Sequence, residues 1–361
     1  MRVSFPVILS AIAPLVAGFA IQPTTFDPYA YRLTNTLCPA VDHGTGQTKM
    51  VNIEYLSVNP KAKRTLVLVH GWPSIWTVWG PQILEFSKDY HLIVPNLRGF
   101  GKSGFVGNVE TTGTFFDIAG DVNCLLQAEK VAQATCVGID WGSQVCLESA
   151  IFYPNKILAA SGTIPYQPNA GDYIPVWFST PIVPQLGYQV YFSNFTDDAV
   201  KELNKDVRRS LRSTYKTGKD PLPDTYLLSQ TDYLGCWGNK QIPLSTPLMN
   251  SRQENYMVEQ FSIQGFMNNL YFYQNALRVL DHDYTIAHGG ATVNKPVLFL
   301  APASDGVVKD FDLFMNTLGA YQFVPNHKTV ILNNTGHWVT LEVPDAYNAN
   351  LRSWLNTVVY K

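Results

Sequence analysis

An aspartate stands at the centre of the run Thr135-Cys136-Val137-Gly138-Ile139-Asp140-Trp141-Gly142-Ser143. An apolar stretch leads in, a helical one follows, and a glycine lies two places to either side. That spacing is the pattern of a nucleophile elbow, a strained turn that lifts the central side chain clear and leaves no room for bulk beside it. A carboxylate in that position selects the chemistry. Its attack on an acyl carbon would give an anhydride, whereas its attack on a saturated carbon gives an ester that water can later split. The implied substrate therefore carries a leaving group on an sp3 carbon, and an epoxide and an alkyl halide are the two candidates. Gly-x-Asp-x-Gly alone fits a loop beside a buried strand equally well, so the rest of the chain must decide.

Two later segments supply partners. Thr335-Gly336-His337-Trp338 follows the last apolar run, and Ala303-Ser304-Asp305-Gly306 follows the one before it. Nucleophile, acid, then histidine is the chain order of a triad on a doubly wound sheet, with Asp140, Asp305 and His337 in those roles. Asp310 and Asp312 are rival acids, but they fall where a helix should begin. Val69-His70-Gly71-Trp72-Pro73 ends the first strong core run. The backbone amide of Trp72 there, with that of Trp141 after the nucleophile, would form a two-donor oxyanion hole.

These segments need a scaffold, and the hydrophobic rhythm describes one. Short β-rich runs at 65–70, 91–96, 135–140, 159–164, 297–301 and 329–333 alternate with amphipathic stretches. In 115–131, for example, Ile118, Val122, Leu125 and Leu126 recur at helical spacing. The alternation predicts an α/β fold with a doubly wound, mostly parallel sheet, and 50–58 adds antiparallel strands at one edge. From 165 to 292 the rhythm breaks into proline-rich turns and aromatic helical runs, which reads as a helical lid inserted over the carboxyl ends of the strands. The expected organisation is a signal peptide or anchor at 1–20, core at 21–164, lid at 165–292 and core again at 293–361.

The chain has 361 residues, 46% hydrophobic and 13% aromatic, enough to bury one large core with a lid. A net charge of -2 with scattered basic residues leaves no nucleic-acid footprint. Met1-Arg2, an apolar run and the small residues Gly18 and Ala20 resemble a secretory signal peptide cleaved after Ala20. An uncleaved membrane anchor is the alternative, but Pro6 and Pro14 interrupt a run only marginally long enough to span. The sequons at Asn194 and Asn333 are compatible with secretion and glycosylation. Of five cysteines, Cys136 and Cys146 flank the elbow on elements expected to be buried, where a thiol is packing. Cys38 and Cys236, beside loop-like sequence, are the two free enough to pair. No histidine-carboxylate cluster has metal-ligand spacing, so neither metal nor cofactor is implied.

Taken together, His70-Gly71-Trp72-Pro73, Leu97-Arg98-Gly99-Phe100-Gly101-Lys102-Ser103, Gly138-Ile139-Asp140-Trp141-Gly142 and Gly336-His337-Trp338 resemble an α/β-hydrolase-fold epoxide hydrolase of the soluble or microsomal-like class with a helical lid. The resemblance covers the chain from about residue 50 to its end, and its first two motifs are shared with dehalogenases. One departure is Asn96, where such sequences carry aspartate. The resemblance implies two lid tyrosines that polarise the epoxide, and Tyr188 and Tyr273 match the two family segments. Tyr191 and Tyr271 lie close enough in sequence to remain alternatives, and any one of 19 tyrosines is ordinarily packing. Phenols suit the task because ring opening generates an alkoxide that needs a positioned proton donor. The implied partners are a small apolar epoxide and water, with a membrane involved only if the N-terminal segment is retained. Three other readings stay open. They are a haloalkane dehalogenase using the Trp141 indole, a hydrolase that opens and cyclises epoxides in natural-product biosynthesis, and a secreted binding protein without turnover.

Overall fold

A computed structural model describes residues 26–361, so the 1–20 segment and its cleavage lie outside the described residues. Eight strands form one sheet: β1 (Thr34–Asp42), β2 (Gln47–Val58), β3 (Thr65–Val69), β4 (His91–Pro95), β5 (Ala134–Gly138), β6 (Ile157–Gly162), β7 (Val297–Pro302) and β8 (His327–Leu332). Their spatial order is β1-β2-β4-β3-β5-β6-β7-β8. β1 and β2 pair antiparallel, as do β2 and β4, and every other neighbour is parallel. This is the α/β, doubly wound, mostly parallel sheet that the alternation predicts. Every residue of β3 and β5 is buried, as a central parallel strand covered on both faces requires.

The helices α1 (Gly80–Phe86), α2 (Phe115–Ala128) and α3 (Trp141–Phe152) follow β3, β4 and β5. Between β6 and β7 the chain is helical, with α4 (Val176–Ser179), α5 (Gly187–Asn194), α6 (Thr196–Lys205), α7 (Val207–Thr214), α8 (Ser251–Gln264), a 3-10 run at Met267–Tyr273 and α9 (Asn275–Ala287). α10 (Phe311–Thr317) follows β7, and α11 (Val339–Glu342) and α12 (Pro344–Trp354) follow β8. α2 and α3 pack on each other and on the sheet, while α1, α11 and α12 form a separate group reaching β7 and β8.

Local differences from the sequence reading have physical causes. β1 escapes the strand pattern because it is an edge strand that carries Pro39 and exposes Leu37, both tolerable only at an edge. α2 starts at a Thr114-Asp117 capping box but stops at Ala128, because Lys130 adopts a positive φ of 56°. The runs ending at His70, Asn96 and Asp140 leave the sheet one or two residues early, at Val69, Pro95 and Gly138. These are the places where side chains turn from sheet to site.

The cysteine expectation is corrected. Cys38 bonds to Cys124 and Cys136 to Cys146, leaving Cys236 free. Cys38 lies in β1 facing α2, not in a loop. Cys136 and Cys146 face each other across the β5–α3 turn with Cα atoms 5.2 Å apart, a proximity that separate burial assignments could not reveal. Among the described residues no helix is long and apolar enough to cross a membrane.

Candidate active site

The sharpest local feature is the turn between β5 and α3. Asp140 has φ 53° and ψ -132°, a conformation costly for any residue with a Cβ. The surroundings hold it there. A Cβ on Gly138 would lie 2.0 Å from the Gly142 carbonyl oxygen, and one on Gly142 would lie 2.1 Å from that of Val69. The Asp140 N–H donates to Thr163 Oγ1 at 3.2 Å, so β6 also supports the turn.

Three strand ends converge on this carboxylate. From the end of β3, the Trp72 N–H donates to Asp140 Oδ1 at 2.7 Å. The approach requires Gly71, since a Cβ there would lie 2.2 Å from Oδ1. It is braced by His70, whose Nδ1–H donates to the Gly71 carbonyl at 2.8 Å while Nε2 accepts the Leu97 N–H at 3.0 Å. Burial pushes this imidazole down to about 4, so it stays neutral in that tautomer. From β8, His337 places Nε2 3.4 Å from Asp140 Oδ2. From β7, Asp305 Oδ2 meets His337 Nδ1 at 2.8 Å, and its Oδ1 accepts the N–H groups of Val307 and Val308.

The electrostatics follow from this packing. Burial opposes charge on His337, but the carboxylates of Asp305 and Asp140 outweigh it and hold the imidazole well above its usual value. Burial likewise acts to raise Asp305, and His337 with the two backbone amides reverses the effect and holds it low. The rival acids serve elsewhere. Asp310 caps α10 through the Leu313 N–H, and Asp312 accepts from the Tyr321 hydroxyl.

The lid completes the enclosure. Tyr188 on α5 and Tyr273 at the end of the 3-10 run have ring centroids 5.7 Å apart, and both are buried. Tyr273 sits edge-on to both Trp72 and Trp141, at 5.5 and 5.7 Å. Burial first, then the Asp140 carboxylate, drives the Tyr188 phenol far above its normal value. Tyr273 is raised by burial, then by Tyr188 and Asp140, so both phenols remain protonated donors. Tyr191 and Tyr271 point elsewhere. Burial and then Glu202 raise the Tyr191 phenol, while the Tyr271 hydroxyl is buried without a partner and its ring stacks on Phe105. A cavity of about 520 Å³ is lined by residues of both core and lid, Phe115, Trp141, Phe272 and Tyr273 among them. The Trp141 Nε1–H is buried with no hydrogen-bond partner.

Several supporting residues escaped the sequence reading. Thr163 and the positioning role of His70 carry no periodic signal, although His70 lies within a motif. The Asn96 departure is accommodated, since Oδ1 accepts the Trp76 N–H at 3.1 Å and Nδ2 donates to Glu54 at 3.0 Å. An amide there keeps the accepting bond of a carboxylate and adds a donor. Among the described residues no group of three or more His, Cys, Asp or Glu could hold a metal ion.

Residues 64–344 match the family model of the alpha/beta hydrolase fold, and the chain belongs to that family. It is 23% identical over 341 residues to bifunctional epoxide hydrolase 2 of Sus scrofa, covering 94% of this chain and 58% of that protein. The chain thus spans about half the length of the mammalian relatives it matches. It is 26% identical over 318 residues to epoxide hydrolase A of Mycobacterium tuberculosis, covering 85% of this chain and 95% of that protein. Among solved structures, epoxide hydrolase A from Mycobacterium thermoresistibile superposes with a TM-score of 0.74 at 26% identity, covering 90% of this chain and 99% of that one.

Proposed function

For this member of the α/β-hydrolase-fold family, we propose hydrolysis of epoxides to vicinal diols through an alkyl ester on Asp140. The observation that carries this reading is the pair of buried, protonated phenols, Tyr188 and Tyr273, in the field of the Asp140 carboxylate. Alkyl halide chemistry has no use for two proton donors. Relatives of similar sequence bear epoxide hydrolase names, which supports the same substrate class.

Asp140 Oδ1 already accepts the Trp72 amide, so Oδ2, which faces the His337 imidazole at 3.4 Å, is the oxygen placed to attack. Oδ2 forms a bond to one ring carbon, the carbon–oxygen bond of the ring breaks, and the departing oxygen takes a proton from a phenol. Formation of the ester removes the Asp140 charge that helped hold a proton on His337, so the imidazole gives that proton up, through solvent, to restore the phenol and is released as a base. His337 Nε2 then takes a proton from water, whose oxygen adds to Asp140 Cγ. Oδ1 becomes the oxyanion between the amides of Trp72 and Trp141. Collapse expels the diol oxygen, protonated by His337, and leaves Asp140 as the carboxylic acid, whose proton then passes to His337 and restores the carboxylate–imidazolium pair.

Secretion is part of this proposal. The N-terminal run motivates it, and two disulfides suit an oxidising compartment. Asn194 and Asn333 are exposed, as glycan acceptors must be. An amino terminus near Ile21 in protein recovered from culture medium supports cleavage, whereas an intact Met1 in detergent-requiring protein contradicts it.

The unpartnered Trp141 Nε1–H favours a second reading, halide binding by a dehalogenase. Incubation with styrene oxide and, separately, with a bromoalkane tests both. Diol without bromide release is expected, and bromide release without diol overturns the epoxide reading.

A further inference from the structure

The loop carrying His337 is gripped from two directions. Asp305 orients the ring through Nδ1, but the backbone is fixed by a carboxylate that the two-step chemistry does not use, Glu342 at the end of α11. Its Oε1 and Oε2 both accept the Gly336 N–H, at 3.0 and 2.9 Å, and Oε2 also accepts the Gly218 N–H at 3.0 Å. Gly218 follows α7 and belongs to the lid side of the chain. The two glycines touch directly. A Cβ on Gly218 would lie 2.8 Å from the Gly336 nitrogen, and one on Gly336 would lie 2.6 Å from that of Gly218. Beside them, the Trp338 Nε1–H donates to the Thr214 carbonyl at 3.0 Å, and the Trp338 ring stacks on Tyr215 at 4.0 Å.

We infer that Glu342 is a positioning residue for ester hydrolysis, clasping the Gly336-His337 loop to the lid at Gly218 and so setting where His337 Nε2 stands over the ester. The inference rests on the epoxide hydrolase reading. Its logic is that the two half-reactions make different demands. Attack by Asp140 needs the elbow, the Trp72 amide and the phenols, none of which Glu342 touches. Hydrolysis needs a water held between Nε2 and Asp140 Cγ, and misplacing such a group by about 1 Å costs about 10²-fold. Charge-assisted bonds from backbone N–H groups to a half-buried carboxylate are strong enough to fix the loop.

Glu342→Gln tests this, because an amide keeps one acceptor and turns an NH₂ toward a backbone N–H. In single turnovers with styrene oxide, ester hydrolysis should slow about 10- to 100-fold while ester formation stays near wild type. Intact mass should then show ester accumulating on Asp140, and kcat and KM should fall together with kcat/KM preserved. A general loosening of the fold would not produce that split, and ester formation by the variant shows that it is folded. Glu342→Asp keeps the charge with shorter reach and should hydrolyse the ester at an intermediate rate. If the glutamine variant does not fold, the aspartate variant decides by the same two rates. Wild-type hydrolysis in the folded variants, or an equal loss in both half-reactions, overturns the inference. If His337→Gln protein forms no ester at all, the epoxide hydrolase reading fails and takes this inference with it. Ester in that protein with unchanged hydrolysis in Glu342→Gln removes the inference alone.

Discussion

The sheet and the lid hold their contributions to the site by different means. On the sheet side the backbone does the holding. Asp140 sits in a positive-φ turn between glycines that tolerate no Cβ, Asp305 accepts two N–H groups, and His337 follows a glycine pressed against another. On the lid side, packing does it. Tyr273 is lodged between the indoles of Trp72 and Trp141, and Tyr188 leans on Phe192 and Tyr233. Backbone constraint should make the sheet-side residues intolerant of any change, whereas an aromatic nest should accept a phenylalanine in place of a tyrosine with its geometry intact. Substitutions in the lid therefore isolate chemistry from structure better than substitutions at the elbow.

The largest expected effect is on the sheet side. Asp140→Ala should abolish turnover, because Asp140 is the carboxylate that the elbow presents while Asp305 is engaged with His337 and two backbone amides. His337→Gln should stop the reaction halfway, leaving a covalent adduct on Asp140. Intact-mass and peptide mapping after incubation with substrate check both. An adduct on another residue, or none, contradicts covalent catalysis at the elbow.

The lid should lose the first step only. Tyr188→Phe and Tyr273→Phe should each slow ester formation by about 10²- to 10³-fold, the usual cost of removing a preorganised donor. The double variant should nearly stop it, while hydrolysis of preformed ester changes much less. Tyr191→Phe and Tyr271→Phe are matched controls from the same segments and should leave both rates alone. Tyr271→Phe should even be neutral or stabilising, since it deletes a buried hydroxyl that has no partner. Equal rates for all four variants would reduce the phenols to packing.

The same contrast explains what could be read from the chain. Steric demands of the backbone leave letters behind, such as Gly138, Gly142, Gly71 and Gly336, so the elbow, the turn at the end of β3 and the histidine loop were legible. The strands were legible too, because parallel strands buried on both faces are apolar runs. Aromatic packing leaves no such mark, and the two phenols could be singled out among 19 tyrosines only through family resemblance. The disulfides were misread because pairing depends on which elements face each other. Cys38 meets Cys124 only once β1 lies beside α2.

Acidity should separate the two regions again. His337 must be neutral to activate water, so hydrolysis of the ester should fall about tenfold per pH unit below the imidazole's value in the ester. That value should lie below the one in free protein, since burial remains while the Asp140 charge is gone. Ester formation needs only the Asp140 carboxylate and protonated phenols and should not follow this limb. Single turnovers across pH give both curves, and a shared acid limb would mean that His337 also serves the first step.

The smallest effect on catalysis should come from the disulfide remote from the site. Cys38–Cys124 joins β1 to α2 across 86 residues, whereas Cys136–Cys146 closes 10 residues around the elbow itself. Chain entropy makes the longer closure worth about 2 kcal/mol more to the folded state, within a typical range of about 2–4 kcal/mol per bridge. Cys38→Ala/Cys124→Ala should therefore lower Tm more than Cys136→Ala/Cys146→Ala does, yet leave both half-reactions at wild-type rates wherever the protein is folded. Removing the elbow bridge should cost less stability but disturb the strained turn at Asp140, slowing ester formation. Calorimetry with single-turnover kinetics on the two double variants checks the pairing of effects. If the remote bridge proves to control the rate and the elbow bridge the Tm, then stability and site geometry are not held separately in this sheet, and the division between backbone-held sheet and packing-held lid loses its force.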